Sequence, residues 1–367
     1  MKINNKILIL AYLDGFANSK RVTEIKTYLE GKGYVVTVLD TTHFGKIPSL
    51  GLWRYFHYFI QIILLIKNLI LNQRIYYYDI ILNMKVRAFL LLKILNNTIF
   101  NCIICENILD SYLFINKLNS TKIIDCPAPV ADELYYTDRL SYSSYLKFNI
   151  FLNRIYHNTD YLAFHWNLYT NYVRKNSYNE ENIIEINWGC NPKEENLRAR
   201  YNKNPKMICL GYLGGKWVNL PLLSQLSKVY EIDVYGGPAP DKKWGLNFKG
   251  YAPSTDIIKN YQFGLITITK DELRKMSFSS KHLEYLSFGL PTLTPDWRKD
   301  PLLENVSIYY NENNFLDVIK KYSHEKIWQE MSDKCYNQAK KWIWSETLKP
   351  LGDIIEQHQL LQHFITK

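Results

Sequence analysis

The stretch FSSKHLEYLSFGLPTLTP, residues Phe278–Pro295, sets the pattern of the second half of the chain. A pair of serines leads into Lys281 and Glu284, and apolar residues at helical spacing follow as far as Gly289. Pro291 then opens a short run of β-forming residues. A helix that ends at a glycine and passes directly into a strand is part of a β-α-β unit. The stretch therefore predicts an α/β protein with a parallel sheet.

The same alternation of strands and helices extends towards the N-terminus. KILILAY, residues 6–12, is a continuous apolar run, typical of a strand buried on both faces of a parallel sheet. YYDIILN, residues 77–83, is predicted as a further strand, and a helix is predicted over residues 85–95. Strands that alternate with helices in this way favour a sheet covered by helices on both faces.

A polar stretch with two prolines, residues 190–206, interrupts the alternation, and MICLGYLGG, residues 207–215, restarts it. We therefore predict two Rossmann-like domains, residues 1–190 and 206–344, joined by a linker over residues 191–205. Two such domains create a cleft between the carboxyl ends of their sheets, where ligands of open parallel sheets bind.

Composition narrows the class of protein without choosing a function. The 367 residues, 47% hydrophobic and 22% charged, predict a globular protein with sizeable cores, and the net charge of +10 favours an anionic partner. The net charge does not distinguish between a nucleotide, a phospholipid surface and a nucleic acid as that partner. Aromatic residues make up 15% of the chain, with 29 Tyr, which suits sugar faces and membrane interfaces. An AT-rich genome explains the excess of Tyr equally well.

The cysteines and one apolar segment bear on location. Cys102 and Cys105 form a CxxC pattern within a predicted buried strand, and no secretory signal precedes the first strand, so we expect reduced cytoplasmic thiols. Trp53–Leu71 is apolar, but its uninterrupted core, Ile62–Ile66, is much shorter than the ~20 residues of a membrane-spanning helix. It is predicted as either a core helix or a helix lying in a membrane interface.

The turn GYLGGKW, residues 211–217, lies between a predicted strand and a predicted helix capped by Asn219. Gly214 and Gly215 permit positive φ and close backbone approach, and a helix N-terminus offers N–H groups to an anion. Neither the dinucleotide pattern GxGxxG nor the P-loop pattern GxxxxGK[ST] is present. The turn alone therefore leaves a purely structural role open.

The opening stretch adds a second candidate for anion binding. If Ser279 or Ser280 caps the helix, Lys281 lies in its first turn and Glu284 one turn later on the same face. Hydroxyls and an ammonium at a helix N-terminus suit a phosphate, and a carboxylate one turn on can accept both hydroxyls of a ribose. The alternative is a surface ion pair between Lys281 and Glu284.

The motif Lys281-His-Leu-Glu284-Tyr285, followed by Gly289-Leu-Pro291, resembles the donor-site signature of GT-B glycosyltransferases. The pieces GYLGGKW, DVYGGP, FKGYAP and FGLITI resemble, in order, the successive strands and loops of that family's donor domain. DYLAFHW and IIEINWGCNP resemble the end of its acceptor domain, and WIWSETLKPLGDIIEQ its C-terminal helix. The resemblance covers nearly the whole chain and is nearest to bacterial enzymes that build capsule, exopolysaccharide or lipopolysaccharide.

The resemblance implies a GT-B fold, with residues 345–367 as a C-terminal helix that crosses back to pack on the first, acceptor-binding domain. The second domain is expected to bind a nucleotide sugar, UDP-linked, and to transfer the sugar to a hydroxyl of a growing, lipid-linked bacterial glycan. No cofactor and no metal are expected, and no Asp-x-Asp pattern occurs. The expected donor-binding residues are Gly214, Gly215, Lys216, Gly236, Tyr251, Ser279, Ser280, Lys281 and Glu284.

One departure from the family bears on the stereochemistry of transfer. Many retaining members carry a second Glu eight residues before the Glu of the motif, where this chain has Met276. The departure favours an inverting transfer, which needs a base for the acceptor hydroxyl. Glu272 leaves a retaining transfer open if the loop before the motif is longer than in the family.

We predict that this base is Asp125, at the carboxyl end of the apolar strand KIIDC. Asp14, Glu106 and Asp132 remain alternatives, and His165 is a candidate for contact with the donor phosphate or the acceptor.

Two other functions remain open from the sequence alone. A nucleotide-sugar epimerase on a similar two-lobed fold would release an altered sugar nucleotide without an acceptor. A non-enzymatic, membrane-associated partner in polysaccharide assembly would show no transfer at all. The expected location is cytoplasmic, with a peripheral position on an anionic membrane surface left open, and no nucleic-acid partner is expected.

Overall fold

The computed structural model describes residues 5–13, 16–70, 76–95, 98–116, 118–126, 129–175, 180–277 and 279–365. The chain forms two compact units, Met1–Asn187 together with Leu348–Lys367, and Trp188–Thr347. Each unit is built on a six-stranded parallel sheet, with its elements numbered below along the chain. The predicted α/β fold with two Rossmann-like units is therefore confirmed.

The first unit has the strand order β2-β1-β3-β4-β5-β6, with every neighbouring pair parallel. Its strands are β1 (Lys6–Ala11), β2 (Val35–Asp40), β3 (Cys102–Cys105), β4 (Thr121–Cys126), β5 (Tyr161–Phe164) and β6 (Ile183–Glu185). Its helices are α1 (Phe16–Gly31), α2 (Trp53–Ile70), α3 (Tyr77–Leu95), α4 (Val130–Tyr136), α5 (Tyr142–Tyr156), α6 (Asn167–Lys175) and the C-terminal α13 (Lys349–Ile365).

The second unit has the strand order β12-β11-β10-β7-β8-β9, again parallel throughout. Its strands are β7 (Met207–Tyr212), β8 (Ile232–Gly237), β9 (Asn247–Phe248), β10 (Phe263–Leu265), β11 (Thr292–Pro295) and β12 (Ser307–Tyr310). Its helices are α7 (Leu220–Ser227), α8 (Glu272–Met276), α9 (Ser280–Ser287), α10 (Phe315–Tyr322), α11 (Glu325–Lys341) and α12 (Trp344–Thr347).

Local sequence accounts for most of these elements. The apolar run of β1 is buried from Ile7 to Ala11, as a strand covered on both faces requires. Asn219 caps α7 as predicted, because its side chain accepts a hydrogen bond from the backbone N–H of Leu222 at 3.1 Å. The CxxC pattern lies in β3 with both thiols buried and free.

The prediction of a strand over residues 77–83 is wrong, because this segment forms the first half of α3. Ile80, Ile81, Met84, Ala88 and Leu91 are buried along α3 at helical spacing. A short apolar run cannot be assigned to strand or helix by periodicity alone, and here the helical period of the following residues continues backwards through it.

The stretch predicted as the linker, residues 191–205, belongs to the second unit and is bonded to it along its length. The backbone N–H groups of Lys193 and Ala199 donate to carbonyls at the end of α9, and Tyr336 of α11 donates to the Lys193 carbonyl at 2.5 Å. Arg198 forms an ion pair with Asp333 of α11. Polar side chains therefore fix this stretch where the sequence shows no hydrophobic period.

Among the described helices, none has the length and apolar character needed to span a bilayer.

Candidate active site

The second sheet has a switch point between β7 and β10, because the chain runs outwards through β8 and β9 and returns to the other side of β7. Ligands of open parallel sheets bind at the carboxyl ends of strands at such a point. At the end of β7, Gly211 pairs with Gly236 of β8, and both have positive φ, 137° and 133°. A Cβ on Gly236 would lie 1.8 Å from the Gly211 carbonyl oxygen, so only glycine fits there.

Lys281, the second residue of α9, extends across Gly211. A Cβ built on Gly211 would lie 1.8 Å from the Lys281 ammonium, so the glycine leaves room for this side chain. Burial lowers the pKa of Lys281, and the positive charges of Arg274 and Arg298 lower it further. The ammonium therefore lies in a positive field at the switch point, where a bound anion would be stabilised.

Arg274 and Arg298 hold the loop that leads into α9. The Arg298 guanidinium is 4% exposed and donates to the backbone carbonyls of Arg274 (3.2 Å) and Ser277. The Arg274 guanidinium lies 4.8 Å from the centre of the Trp217 ring. Burial and the charge of Arg274 lower the pKa of Arg298 to about 10, so the Arg298 guanidinium remains cationic at neutral pH. The three cations form what we call the cationic cluster: Lys281, Arg274 and Arg298.

A cavity of about 90 Å³ is lined by two members of this cluster, Lys281 and Arg274, together with Ser279 and Ser280. Ser279 is the N-cap residue of α9, but its hydroxyl makes no capping hydrogen bond. Sites that enclose a drug-sized ligand measure ~300–1,000 Å³. The cavity is therefore large enough for a phosphate group but not for a whole nucleotide.

The remaining predicted donor residues lie outside the lining of this cavity. Gly215 has the predicted positive φ of 63°, whereas Gly214 does not, and is instead limited by the Tyr212 hydroxyl, which would lie 2.7 Å from an added Cβ. Lys216 is exposed in the turn after β7, and Tyr251 is 83% exposed.

Glu284 is half-buried one turn after Lys281. Its neighbour in the motif, Tyr285, has a structural role. The Tyr285 hydroxyl accepts from the Leu210 N–H at 2.9 Å, and a Cβ on Gly264 would lie 2.3 Å from the Tyr285 ring. Tyr285 thus fixes α9 against β7 and β10.

The first sheet has its switch point between β1 and β3. Asp125, the predicted base, lies one strand further, near the end of β4, and is 3% exposed. Its two carboxylate oxygens accept from Arg21 of α1 at 2.7 and 2.8 Å, and Arg21 is fully buried. A carboxylate engaged at both oxygens by a buried guanidinium is poorly placed to accept a proton from a substrate. This geometry disfavours Asp125 as the base, although substitution is the test of its role.

Glu106 follows β3 directly, at the switch point, and is 4% exposed. The backbone N–H of Tyr12, just after β1, donates to its Oε2 at 2.9 Å. Burial raises the pKa of Glu106 to about 7.

The third carboxylate at this edge, Asp110, already forms an ion pair with Arg87. It accepts from Arg87 at 2.7 and 3.0 Å and from the Thr41 hydroxyl at 2.5 Å. The acidic cluster of this edge therefore consists of Asp110 and Asp125, each with its own arginine, and of Glu106.

The other candidate bases are less well placed. Asp132 in α4 accepts from the Tyr145 hydroxyl at 2.9 Å, and burial raises its pKa. His165 is buried just after β5, and Asp14 lies outside the described residues.

Sequence reasoning missed four arginines. Arg274 was detectable, since it stands in a basic pair just before the serines of α9. Arg21, Arg87 and Arg298 lie far along the chain from their partners, so no local pattern indicated them.

The sequence matches no family model and no curated protein at a significant level. The fold, however, is that of GT-B glycosyltransferases. A sucrose-phosphate synthase from Thermosynechococcus elongatus superimposes with a TM-score of 0.69 over 96% of this chain and 98% of its own, at 9% identity. Anabaena HepE in complex with UDP-glucose gives 0.59 (96% and 99%, 9% identity), and the lipopolysaccharide outer core galactosyltransferase WaaB in its apo form gives 0.58 (96% and 99%, 12% identity).

Proposed function

We propose that the protein is a glycosyltransferase that takes a sugar from a nucleotide sugar, UDP-linked, and transfers it to a hydroxyl of a growing, lipid-linked bacterial surface glycan. The observation that carries this proposal is the cationic cluster at the switch point of the second sheet, in a chain with the GT-B fold. The UDP-glucose complex of Anabaena HepE supports a uridine nucleotide as the donor.

In this proposal the cationic cluster stabilises the nucleotide as it leaves the sugar. When the bond between the sugar and the diphosphate breaks, negative charge develops on the leaving phosphate oxygen. Lys281 and Arg274 line the cavity that such a phosphate would enter, and the N–H groups of the first turn of α9 would add their dipole to the same charge. We propose that these groups, rather than a resident metal or cofactor, stabilise the leaving diphosphate. Glu284, one turn deeper, would accept the hydroxyl groups of the ribose.

The lipid-linked acceptor is supported by an exposed apolar surface on the first unit. Helix α2 buries His57 and Leu64, while eleven of its large apolar side chains are at least 39% exposed. A helix on the surface of a soluble domain normally presents polar residues to water, and apolar patches of this kind mark sites of association. We call this surface the α2 face: Trp53, Tyr55, Phe56, Tyr58, Phe59, Ile62, Ile63, Leu65, Ile66, Leu69 and Ile70.

One lysine lies beside the α2 face, and a second lies against an exposed tyrosine of α3. The Lys93 ammonium lies 5.7 Å from the Trp53 ring centre and 5.4 Å from that of Phe89, and the Lys147 ammonium lies 5.9 Å from that of Tyr78. Aromatic and aliphatic side chains with lysines beside them suit the headgroup region of an anionic bilayer. We propose that this surface docks on the membrane that carries the lipid-linked acceptor.

Ligand screening tests the enzymatic part of the proposal. A ligand that binds the folded state raises the apparent melting temperature by mass action. We expect UDP and one or more UDP-sugars to stabilise the protein, and we expect UDP release from that donor to increase when a glycan acceptor is added. A protein that neither binds nor turns over any sugar nucleotide would refute the proposal, and release of an epimerised sugar nucleotide without acceptor would assign it to the epimerases.

A further inference from the structure

We infer that Glu106 is the general base of the transfer, removing the proton of the acceptor hydroxyl. This inference rests on the proposed glycosyltransferase activity and concerns the acceptor side of the reaction, which the donor-binding residues do not address. The sequence favoured Asp125, and the strand order and the ion pairs of the first unit favour Glu106.

Position is the first argument for Glu106. The switch point of the first sheet lies between β1 and β3, and Glu106 is the residue that follows β3. Its backbone N–H donates to the Leu10 carbonyl at 2.9 Å, so it continues the pairing of the two strands that define the crevice. Ligands approach parallel sheets at this point. Asp125 belongs to β4, one strand away.

Availability of an oxygen is the second argument. Both oxygens of Asp125 are bonded to Arg21, and both oxygens of Asp110 are bonded to Arg87. Glu106 accepts one hydrogen bond, from the Tyr12 N–H to Oε2, and within the described part of the chain no group donates to Oε1. Oε1 can therefore accept the proton of a substrate hydroxyl without breaking an ion pair.

Charge is the third argument. Burial is the main cause that raises the pKa of Glu106 to about 7, and the like charges of Asp125 and Asp110 raise it further. The hydrogen bond from the Tyr12 N–H and the charge of Arg21 act in the opposite direction without cancelling the rise. The neighbouring thiol of Cys126 is itself protonated at this pH, because burial raises its pKa to about 12. A base is most effective when its pKa is close to the working pH. Glu106 meets this condition.

The step balances without a further reactant. The Glu106 carboxylate takes the proton of the acceptor O–H as the acceptor oxygen forms a bond to C1 of the donor sugar. The bond from C1 to the diphosphate breaks, and its electron pair leaves on the phosphate oxygen. The neutral Glu106 carboxyl then returns its proton to water. Attack opposite to the leaving group inverts the anomeric configuration.

The test compares wild type with Glu106→Gln and Glu106→Asp in the donor assay described above. Gln is isosteric and its amide oxygen can still accept from the Tyr12 N–H, so we expect a folded protein. We expect unchanged UDP affinity, a loss of turnover of about 10²–10⁴-fold, and partial activity in Glu106→Asp. The wild-type transfer rate should rise as the pH passes through about 7, and the rate of Glu106→Gln should not show this rise. Glu30→Gln, an exposed α1 position, is the control.

The outcomes separate this inference from the function on which it rests. If wild type binds and transfers a sugar and Glu106→Gln has the same rate and pH profile, the assignment of Glu106 as the base is overturned. The proposed glycosyltransferase activity would then still stand. A product that retains the donor's anomeric configuration, read by proton NMR, would also overturn it. Infrared difference spectra between wild type and Glu106→Gln should show a carboxyl that ionises near pH 7, and its absence would contradict the assignment. Absence of sugar-nucleotide binding in wild type would overturn both proposals.

Discussion

Both sheets are parallel and six-stranded, with the switch point beside the first strand of each unit, yet the residues gathered at those points carry opposite charge. The switch point of the first sheet gathers three carboxylates and two guanidinium groups, and each arginine forms an ion pair with one aspartate. At the second, an ammonium lies among two guanidinium groups, with the carboxylate of Asp300 acting on one of them. The same fold can therefore provide a proton acceptor at one crevice and an anion site at the other, and the difference lies in side chains that follow the strands.

Breaking the Arg21–Asp125 pair should have the largest effect on stability. Arg21→Met leaves the Asp125 carboxylate buried without its guanidinium partner, and such losses cost about 3–5 kcal/mol. We expect this decrease in the free energy of unfolding by urea denaturation at pH 7. The double variant Arg21→Met/Asp125→Leu should recover most of it, because no buried charge remains.

The double variant also tests the role that the sequence predicted for Asp125. If Asp125 is structural, the double variant folds and transfers sugar at a rate close to wild type. If it is the base, the double variant is stable but inactive. A single Arg21→Met that costs less than about 1 kcal/mol would show that the pair is not desolvated as the structure has it.

Glu106→Gln should stabilise the protein at alkaline pH. The pKa of Glu106 is raised from 4.5 to about 7, so ionising it in the folded state opposes folding. Its contribution is absent below about pH 4.5, grows as pH rises, and is complete above pH 7. At pH 8 the variant should be more stable than wild type by up to about 3 kcal/mol, with no difference near pH 4.5. Thermal unfolding at both pH values measures this, with Glu30→Gln as the control. A variant less stable than wild type at pH 8 would contradict the raised pKa.

The sequence predicted the alternation of strands and helices, and hence the fold class, because apolar runs and capping residues act locally. It also located Lys281 and its serines, which are close together along the chain. It did not predict the strand order, so it could not tell that Glu106 rather than Asp125 stands at a switch point. The arginine partners of the acidic cluster are 104 and 23 residues away from their aspartates. Such pairs follow from tertiary packing, and no local pattern encodes them.

Lys281→Ala should weaken UDP binding by about 1.5–3 kcal/mol, the range for a hydrogen bond to a charged group. The reason is the loss of the ammonium from the cavity that it shares with Arg274. Lys275→Ala is the matched control, since Lys275 is paired with Glu272 at 2.7 Å on the surface of α8. Calorimetry with UDP should separate the two variants. Equal UDP affinities in wild type and Lys281→Ala would show that the ammonium of the cationic cluster does not contribute to donor binding.

The smallest expected effect per residue concerns the α2 face, where a lysine near an anionic bilayer contributes about 1 kcal/mol. Charge reversal at Lys67 is unsuitable, because Lys67 is bonded to Asp79 within the unit. Lys93→Glu/Lys147→Glu changes the charge beside the aromatic side chains instead. We expect this variant to co-sediment less with anionic vesicles than wild type, and we expect the wild-type binding itself to fall with salt.

A matched variant on the second unit, Lys228→Glu/Lys320→Glu, alters net charge by the same amount at two exposed lysines. If the α2 face is the docking surface, this control should bind vesicles like wild type, and transfer to a short water-soluble acceptor should be equal in all three proteins. Equal loss in both variants would show that net charge alone attracts the protein to lipid. Binding that survives in Lys93→Glu/Lys147→Glu but disappears in Phe59→Ser/Ile66→Ser would show that apolar insertion dominates. Wild type with no preference for anionic vesicles at low salt would exclude the membrane from the proposal, and the exposed apolar residues would then call for a protein partner.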